Sequence, residues 1–217
     1  MKHLMIRPIM PRITPEITEN PLILVNGIVL LALTVLTAVF ISLYASNVYK
    51  GNKKKAVLFF TVIAALTALS LFCFFGCAAT TVKGIIFCLL LAFSSYEDIK
   101  TRECENYVHL MIVIAAFIGT DMSALPGMLL SALIIGGIML TTAAVTKSSI
   151  GGADIKFSAA CAFMLGTVQG MTGLMIGLIL AVIINSIKNR KKKHKGFPLI
   201  PYLAVGFMAA YFMCPIK

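Results

Sequence analysis

The chain has 217 residues, of which 59% are hydrophobic and only 12% charged, with a formal net charge of +11. At a mean hydropathy of +0.97 it has too few polar side chains to cover a soluble globule. Its apolar runs are continuous rather than alternating, which argues against a transmembrane β-barrel, so the expected fold is an all-α polytopic membrane protein.

In chain order, residues 1–20 form a tail with Pro8, Pro11 and Pro15 and the basic groups Lys2, Arg7 and Arg12. The tail lacks the unbroken apolar stretch of a cleavable signal peptide. Residues 21–217 form a single transmembrane domain of about eight helices, since a helix needs ~20 apolar residues to cross the hydrocarbon core. The expected spans are 21–45, 56–76, 80–97, 106–120, 124–146, 154–167, 168–187 and 198–214. The sixth is short, and its junction with the seventh falls between Gly166 and Gly170. No internal repeat or low-complexity linker interrupts the series.

Positive charge is distributed by side. Lys50, Lys53, Lys54 and Lys55 follow the first span, Lys100 and Arg102 the third, and Lys147 and Lys156 flank the turn after the fifth. Lys188, Arg190, Lys191, Lys192, Lys193 and Lys195 follow the seventh. If eight spans alternate, all of these share one face and only Lys83 and Lys217 reach the other, so the positive-inside rule assigns the basic face to the cytoplasm. The tail's three basic groups fall on the opposite side, the one group out of line. The run 188–195 is then a topology determinant with affinity for anionic lipid, not a nucleic-acid site. Of the six cysteines, Cys73, Cys77, Cys88, Cys161 and Cys214 are expected as small apolar residues, and only Cys104 faces the cytoplasm.

Acids are scarce, with eight in the chain, and Asp98 and Asp154 stand where apolar spans meet the basic face. Span 3 runs inward and ends at Tyr96-Glu97-Asp98. Span 5 also runs inward and ends before Gly151-Gly152-Ala153-Asp154, from which span 6 departs. An ionisable residue at such a place is a functional candidate, because leaving it unpaired is costly. Asp154 is equally an ordinary N-cap, and Asp98 equally a solvated loop acid paired with Lys100 or Arg102. Two neighbouring carboxylates cannot both ionise comfortably, so they share a proton, one acting as base toward water while the other protonates a carbonyl. That is aspartic-peptidase chemistry, and it calls for no metal, thiol, histidine or cofactor. His3, His109 and His194 fall in a tail, a span and a basic loop. Helix ends divide the roles: Asp154 at an N-terminus is the readier base and Asp98 at a C-terminus the readier proton carrier.

Three stretches resemble the type IV prepilin peptidases, polytopic aspartic proteases of the GxGD type. Asp98-Ile99-Lys100-Thr101-Arg102-Glu103-Cys104-Glu105-Asn106 is similar to the family's Asp, basic loop and Ile-Pro-Asn ending. Gly151-Gly152-Ala153-Asp154-Ile155-Lys156-Phe157 resembles GxGDxKL and is followed by small residues, Ser158 to Ala162. Lys195-Gly196-Phe197-Pro198 through Gly206 resembles the last cytoplasmic loop and final helix. The resemblance spans roughly residues 80–214 in order and spacing.

It implies that Asp98 and Asp154 are the catalytic dyad near the cytoplasmic face, supported by Gly151, Gly152, Ala153, Lys156, Lys100, Arg102 and Asn106. The implied substrate is a prepilin or pseudopilin with a short basic leader and an apolar helix, cut at their junction in the cytoplasmic membrane of a prokaryote. Glu97, Glu103 and Glu105 make the 97–105 stretch locally acidic, suited to a basic leader. Simple loop solvation accounts for these acids equally well. Two departures stand out: Ala153 replaces the second glycine of GxGD, losing easy access to φ > 0, and Cys104-Glu105 replaces Ile-Pro. The loop at 46–55 also lacks the paired-cysteine insertion that accompanies N-methylation in longer members, so peptidase activity is expected without methyltransferase activity. Other readings are a presenilin-like intramembrane protease, an ion carrier and a non-catalytic assembly factor. The first wants Tyr directly before Asp98, where Glu97 stands, and the second wants acids at the midplane.

Overall fold

The computed structural model describes residues 21–145, 150–188 and 197–213. The tail, the basic run 189–195 and Cys214 lie outside these residues. The helices are α1 (Pro21–Val48), α2 (Lys53–Phe75), α3 (Ala79–Thr101), α4 (Asn106–Ala116), α5 (Leu125–Val145), α6 (Gly152–Leu165), α7 (Thr167–Lys188) and α8 (Ile200–Phe212). A short 3₁₀ turn, Met122–Ala124, leads into α5. No strand occurs among the described residues.

Every expected span has a helix, but not every helix has the length of a span. Five are long and apolar enough to cross a membrane: Leu22–Val48, Lys53–Phe75, Ala79–Thr101, Met122–Val145 and Thr167–Ile187. Of the about eight expected spans, α4, α6 and α8 fall below that length, with 11, 14 and 13 residues, and the sixth is the one already expected to be short. Backbone punctuation sets two of these ends. The chain turns out of α4 through Gly119 at φ +62°, and α6 stops at Gly166 at φ +86°, conformations that L-residues with side chains rarely adopt. Gly166 also fixes the α6–α7 junction, at the first residue of the interval the sequence allows.

Apolar side chains face outward as well as inward. Leu22, Ile28, Phe40, Leu133, Val168 and Ile187 are all exposed, the surface that lipid rather than water requires of a multi-pass membrane protein. The short helix α6 is the most enclosed: Phe157, Ser158 and every residue from Ala160 to Leu165 are buried. Helices α7 and α8 approach through glycine. A Cβ on Gly206 would overlap the Gly173 carbonyl oxygen and lie 2.5 Å from the Gly177 nitrogen. Gly173 and Gly177 are four apart on α7, so their bare backbones form one strip for α8 to lie on.

Tertiary hydrogen bonds sort the helix ends into two groups. At one end Tyr211 donates to the Thr80 carbonyl (2.6 Å), and Lys83 donates to the Ala116 carbonyl and Thr120 Oγ1 (both 2.8 Å). At the other end Tyr49, Tyr96, Asn106, Lys156 and Ile200 gather around the end of α3. Tyr96 packs there against Tyr49 and Phe60, with ring centroids 6.3 and 5.6 Å away.

Candidate active site

Helix α3 ends through Arg102, a left-handed residue at φ 59°, whose N–H donates to the Asp98 carbonyl at 2.9 Å. Thr101 Oγ1 donates to the Glu97 carbonyl (2.9 Å) and ties the turn to Glu103. The loop then buries Cys104 and starts α4 at Asn106. This exit leaves Asp98 in the last turn of α3, 6% exposed.

A second element meets Asp98 from α8. The N–H of Ile200, the first residue of that helix, donates to Asp98 Oδ2 at 3.0 Å in a buried setting. A helix N-terminus has free N–H groups and a partial positive charge, so it is a natural seat for a carboxylate. Pro201 suits the same place, because its missing N–H is one the first turn does not use.

Asp154 comes from a third element. It is the third residue of α6 rather than its N-cap, a correction to the cap reading: Gly151 caps the helix, and its N–H donates back to Asp154 Oδ2 at 3.1 Å. Gly151 has φ −71° and neither Gly152 nor Ala153 has positive φ. The turn therefore needs no left-handed residue, and Ala153 sits inside the first helical turn without strain. What the turn needs is room, because a Cβ on Gly151 would lie 3.2 Å from Asp154 Oδ2, while one on Gly152 would meet nothing within 4 Å.

The two acids are electrostatic neighbours: the charge of Asp154 acts on Asp98, as do those of Arg102 and Glu97. The division of roles by helix end loses its basis, because each carboxylate accepts a backbone N–H at the start of a helix. A cleft of about 390 Å³ lies beside them, lined by Arg102, Glu103, Cys104, Glu105, Asn106 and the backbone turn Gly151–Ala153. Lys156 donates to Asn106 Oδ1 at 2.9 Å, joining the two sequence motifs across 50 residues. Lys100 is not among the cleft's lining residues; its ammonium lies 5.8 Å from the centroid of the Tyr96 ring.

Glu97 departs from the expected acidic patch. It is 1% exposed and accepts a hydrogen bond from Tyr49 at 2.5 Å, so it cannot face a partner in solution. Glu103 and Glu105 are exposed and keep that possibility. Burial, followed by the hydrogen bond to Glu97, pushes the Tyr49 phenol up. Burial and then the Glu97 charge push the Cys104 thiol up to about 12, so this cysteine stays protonated.

Sequence reasoning missed the Ile200 N–H and the Tyr49 clasp, and it placed His109 in a span without showing its surroundings. His109 is 7% exposed, packs edge-on against Phe157, and has no hydrogen-bond partner at either ring nitrogen. Among the described residues the other buried side-chain polar atoms without a partner are Glu97 Oε2 and Ser158 Oγ, beside Asp98 and one turn beyond Asp154. Only the Ile200 donor left a sequence signal, the prolines at 198 and 201 that bracket a helix start.

Residues 85–187 match the model of the type IV leader peptidase family, a stretch that contains both Asp98 and Asp154. No curated protein and no solved structure matches the chain.

Proposed function

Over residues 85–187 the chain belongs to the type IV leader peptidase family, and on that premise we propose that it is a membrane aspartic endopeptidase. Its substrate is a prepilin or pseudopilin precursor, cut where a short basic leader meets the apolar helix at the cytoplasmic edge of a prokaryotic membrane. The observation that supports the reading is the placement of Asp98 and Asp154. They come from separate helices, each is steadied by one backbone N–H, and they lie within electrostatic reach beside an open cleft.

In this reading the two carboxylates hold one proton. The ionised one removes a proton from water, the resulting hydroxide oxygen bonds to the scissile carbonyl carbon, and the protonated one gives its proton to the carbonyl oxygen. The tetrahedral intermediate then collapses. Its C–N bond breaks, the amine leaves with the proton taken from water, and the hydroxyl proton returns to the dyad. Atoms and protons balance without a further reactant.

The basic leader suits the cleft because Glu103 and Glu105 line it. Exposed charges guide a partner more than they hold it, and salt screens them over about 10 Å at 0.1 M. Replacing both with glutamine is expected to raise KM for a basic leader several-fold at low salt and leave kcat unchanged. The difference should shrink as salt is added, in a titration of initial rates.

Gly151 and Gly152 should separate cleanly. Gly151→Ala pushes against the Asp154 carboxylate and is expected to lower kcat about tenfold, since sub-ångström misplacement of a catalytic group costs rate. Gly152→Ala adds its methyl to the cleft wall with nothing within 4 Å, so it should keep kcat and act only on KM. Single-turnover rates of the two variants make the comparison.

The loop between α1 and α2 is short, with Lys53 already helical. It offers no insertion to bind a methyl donor, so the product is expected without N-methylation. The reading as a whole is tested by co-expressing the protein with pilin-like precursors and following their mass. Loss of the leader from at least one supports it, and precursors that all stay intact count against it.

A further inference from the structure

The end of the molecule that holds the site also gathers five exposed ammonium groups on one corner. Lys50 follows α1, Lys53, Lys54 and Lys55 form the first turn of α2, and Lys100 lies in the last turn of α3. Lys100 is turned toward the others. Its Cε lies 3.8 Å from where a Cβ on Gly51 would stand, and its ammonium 5.8 Å from the centroid of the Tyr96 ring. Among the described residues none of the five ammoniums is paired with a carboxylate. The nearest acids on α3 are committed elsewhere, Glu97 to the Tyr49 hydroxyl and Asp98 to the Ile200 N–H.

Topology alone does not ask for this arrangement, because lysines anywhere in a cytoplasmic loop satisfy the positive-inside rule. Three of these stand instead at the N-terminus of a helix, against its partial positive charge, and no acid shares that first turn. Like charges held side by side at such a place call for an anion from outside the chain. The level of the patch says which. Val48 and Leu58, both exposed and apolar, flank the loop, and Leu58 lies about 4.5 Å along α2 from Lys55. The ammoniums thus stand within one turn of a surface that lipid tails cover, at the depth of lipid headgroups. Exposed Tyr44 on α1 is the kind of side chain that this margin favours.

The loop that carries the patch is fastened to the end of α3. Tyr49 donates to Glu97 Oε1, and Gly51 comes so close to Tyr96 that a Cβ there would overlap the tyrosine hydroxyl. Glu97 directly precedes Asp98, so whatever steadies the loop also steadies the turn that carries that acid.

We propose that Lys50, Lys53, Lys54, Lys55 and Lys100 form a docking surface for the headgroups of anionic phospholipids, and that lipid seated there holds the α1–α2 loop against the end of α3. The effect on cleavage rests on the peptidase reading above.

Amide hydrogen exchange in bilayers of phosphatidylcholine, with and without phosphatidylglycerol, tests this. The reporters are Tyr49 and Gly51, whose N–H groups donate to the Ala45 and Ser46 carbonyls, read against the turn at 118–121 on the opposite end. Phosphatidylglycerol is expected to slow their exchange several-fold in the wild type. Lys53→Gln/Lys54→Gln/Lys55→Gln should abolish the slowing, since each lysine near an anionic surface is worth about fivefold in affinity. Lys50→Gln/Lys100→Gln, which leaves α2 intact, should remove part of it. Arginine at 53, 54 and 55 should preserve it, as should Lys191→Gln/Lys192→Gln/Lys193→Gln, which takes the same charge from the basic run after α7. Leader removal should be faster with phosphatidylglycerol in the wild type and indifferent to it in the α2 glutamine variant.

Equal exchange in the two bilayers, or slowing that survives in the α2 glutamine variant, would overturn the proposal. The same slowing from inorganic phosphate in pure phosphatidylcholine would make this a site for free phosphate and defeat the lipid assignment. Slowing without faster cleavage would break the link to the site. Slowing in a protein that cleaves no precursor would count against the peptidase reading and leave the lipid surface in place.

Discussion

Replacing Asp98 or Asp154 with asparagine is expected to lower kcat for leader removal by about 10³-fold, within the range for losing a positioned general acid or base. Asparagine keeps the size of the side chain and an oxygen that accepts the same N–H, from Ile200 at one position and from Gly151 at the other. The fold should therefore survive. Because two neighbouring carboxylates repel, the asparagine variants should melt at or slightly above the wild-type temperature. Asp98→Ala is the informative contrast. It strands the buried Ile200 N–H, at a cost of about 1–3 kcal/mol for an unsatisfied donor, so it should lose stability as well as activity. Cleavage rates and melting curves of the same lipid-embedded preparations separate the two effects.

Gly206→Ala is expected to be the most damaging substitution outside the dyad. Its added methyl points at the Gly173 carbonyl and the Gly177 nitrogen, backbone atoms of α7 that cannot swing aside as a side chain tip could. Relief requires α8 to move off α7, which opens the Gly173–Gly177 strip and withdraws Ile200 from Asp98. Overpacking of a tight core costs about 1–3 kcal/mol, and the rigidity of the opposing atoms puts this case at the upper end. Activity should fall with stability, because the N-terminus of α8 is part of the site. Gly137→Ala is the control, since a Cβ there meets nothing within 4 Å. A melting temperature for Gly206→Ala equal to that of Gly137→Ala would show that α7 and α8 do not meet this way.

Much of this organisation was legible in the residues. Hydropathy alone located the eight helices among the described residues, because lipid demands an apolar face and the breaks are marked by Gly166, Pro198 and charged loops. Scarcity made Asp98 and Asp154 stand out, and their place at the end of the third expected span and after the fifth put them at the same end. Helix length was less legible, since an apolar run does not reveal where a glycine such as Gly119 turns the chain. Glu97 shows the deeper limit. A stretch with four acids looks like a solvated patch, and nothing in it says that one side chain turns inward. That outcome depends on Tyr49, 48 residues earlier, being folded over the end of α3. Ala153 shows a related limit: its poor access to φ > 0 says that the turn needs another backbone solution, but not that the solution is room at Gly151 for the Asp154 carboxylate.

The most direct measurement is N-terminal sequencing of a precursor incubated with the protein in proteoliposomes, with Asp98→Asn and Asp154→Asn in parallel. The account predicts one new N-terminus, at the junction of basic leader and apolar helix, formed by wild type and lost in both variants. An uncut precursor, or a cut that either variant makes undiminished, would contradict it.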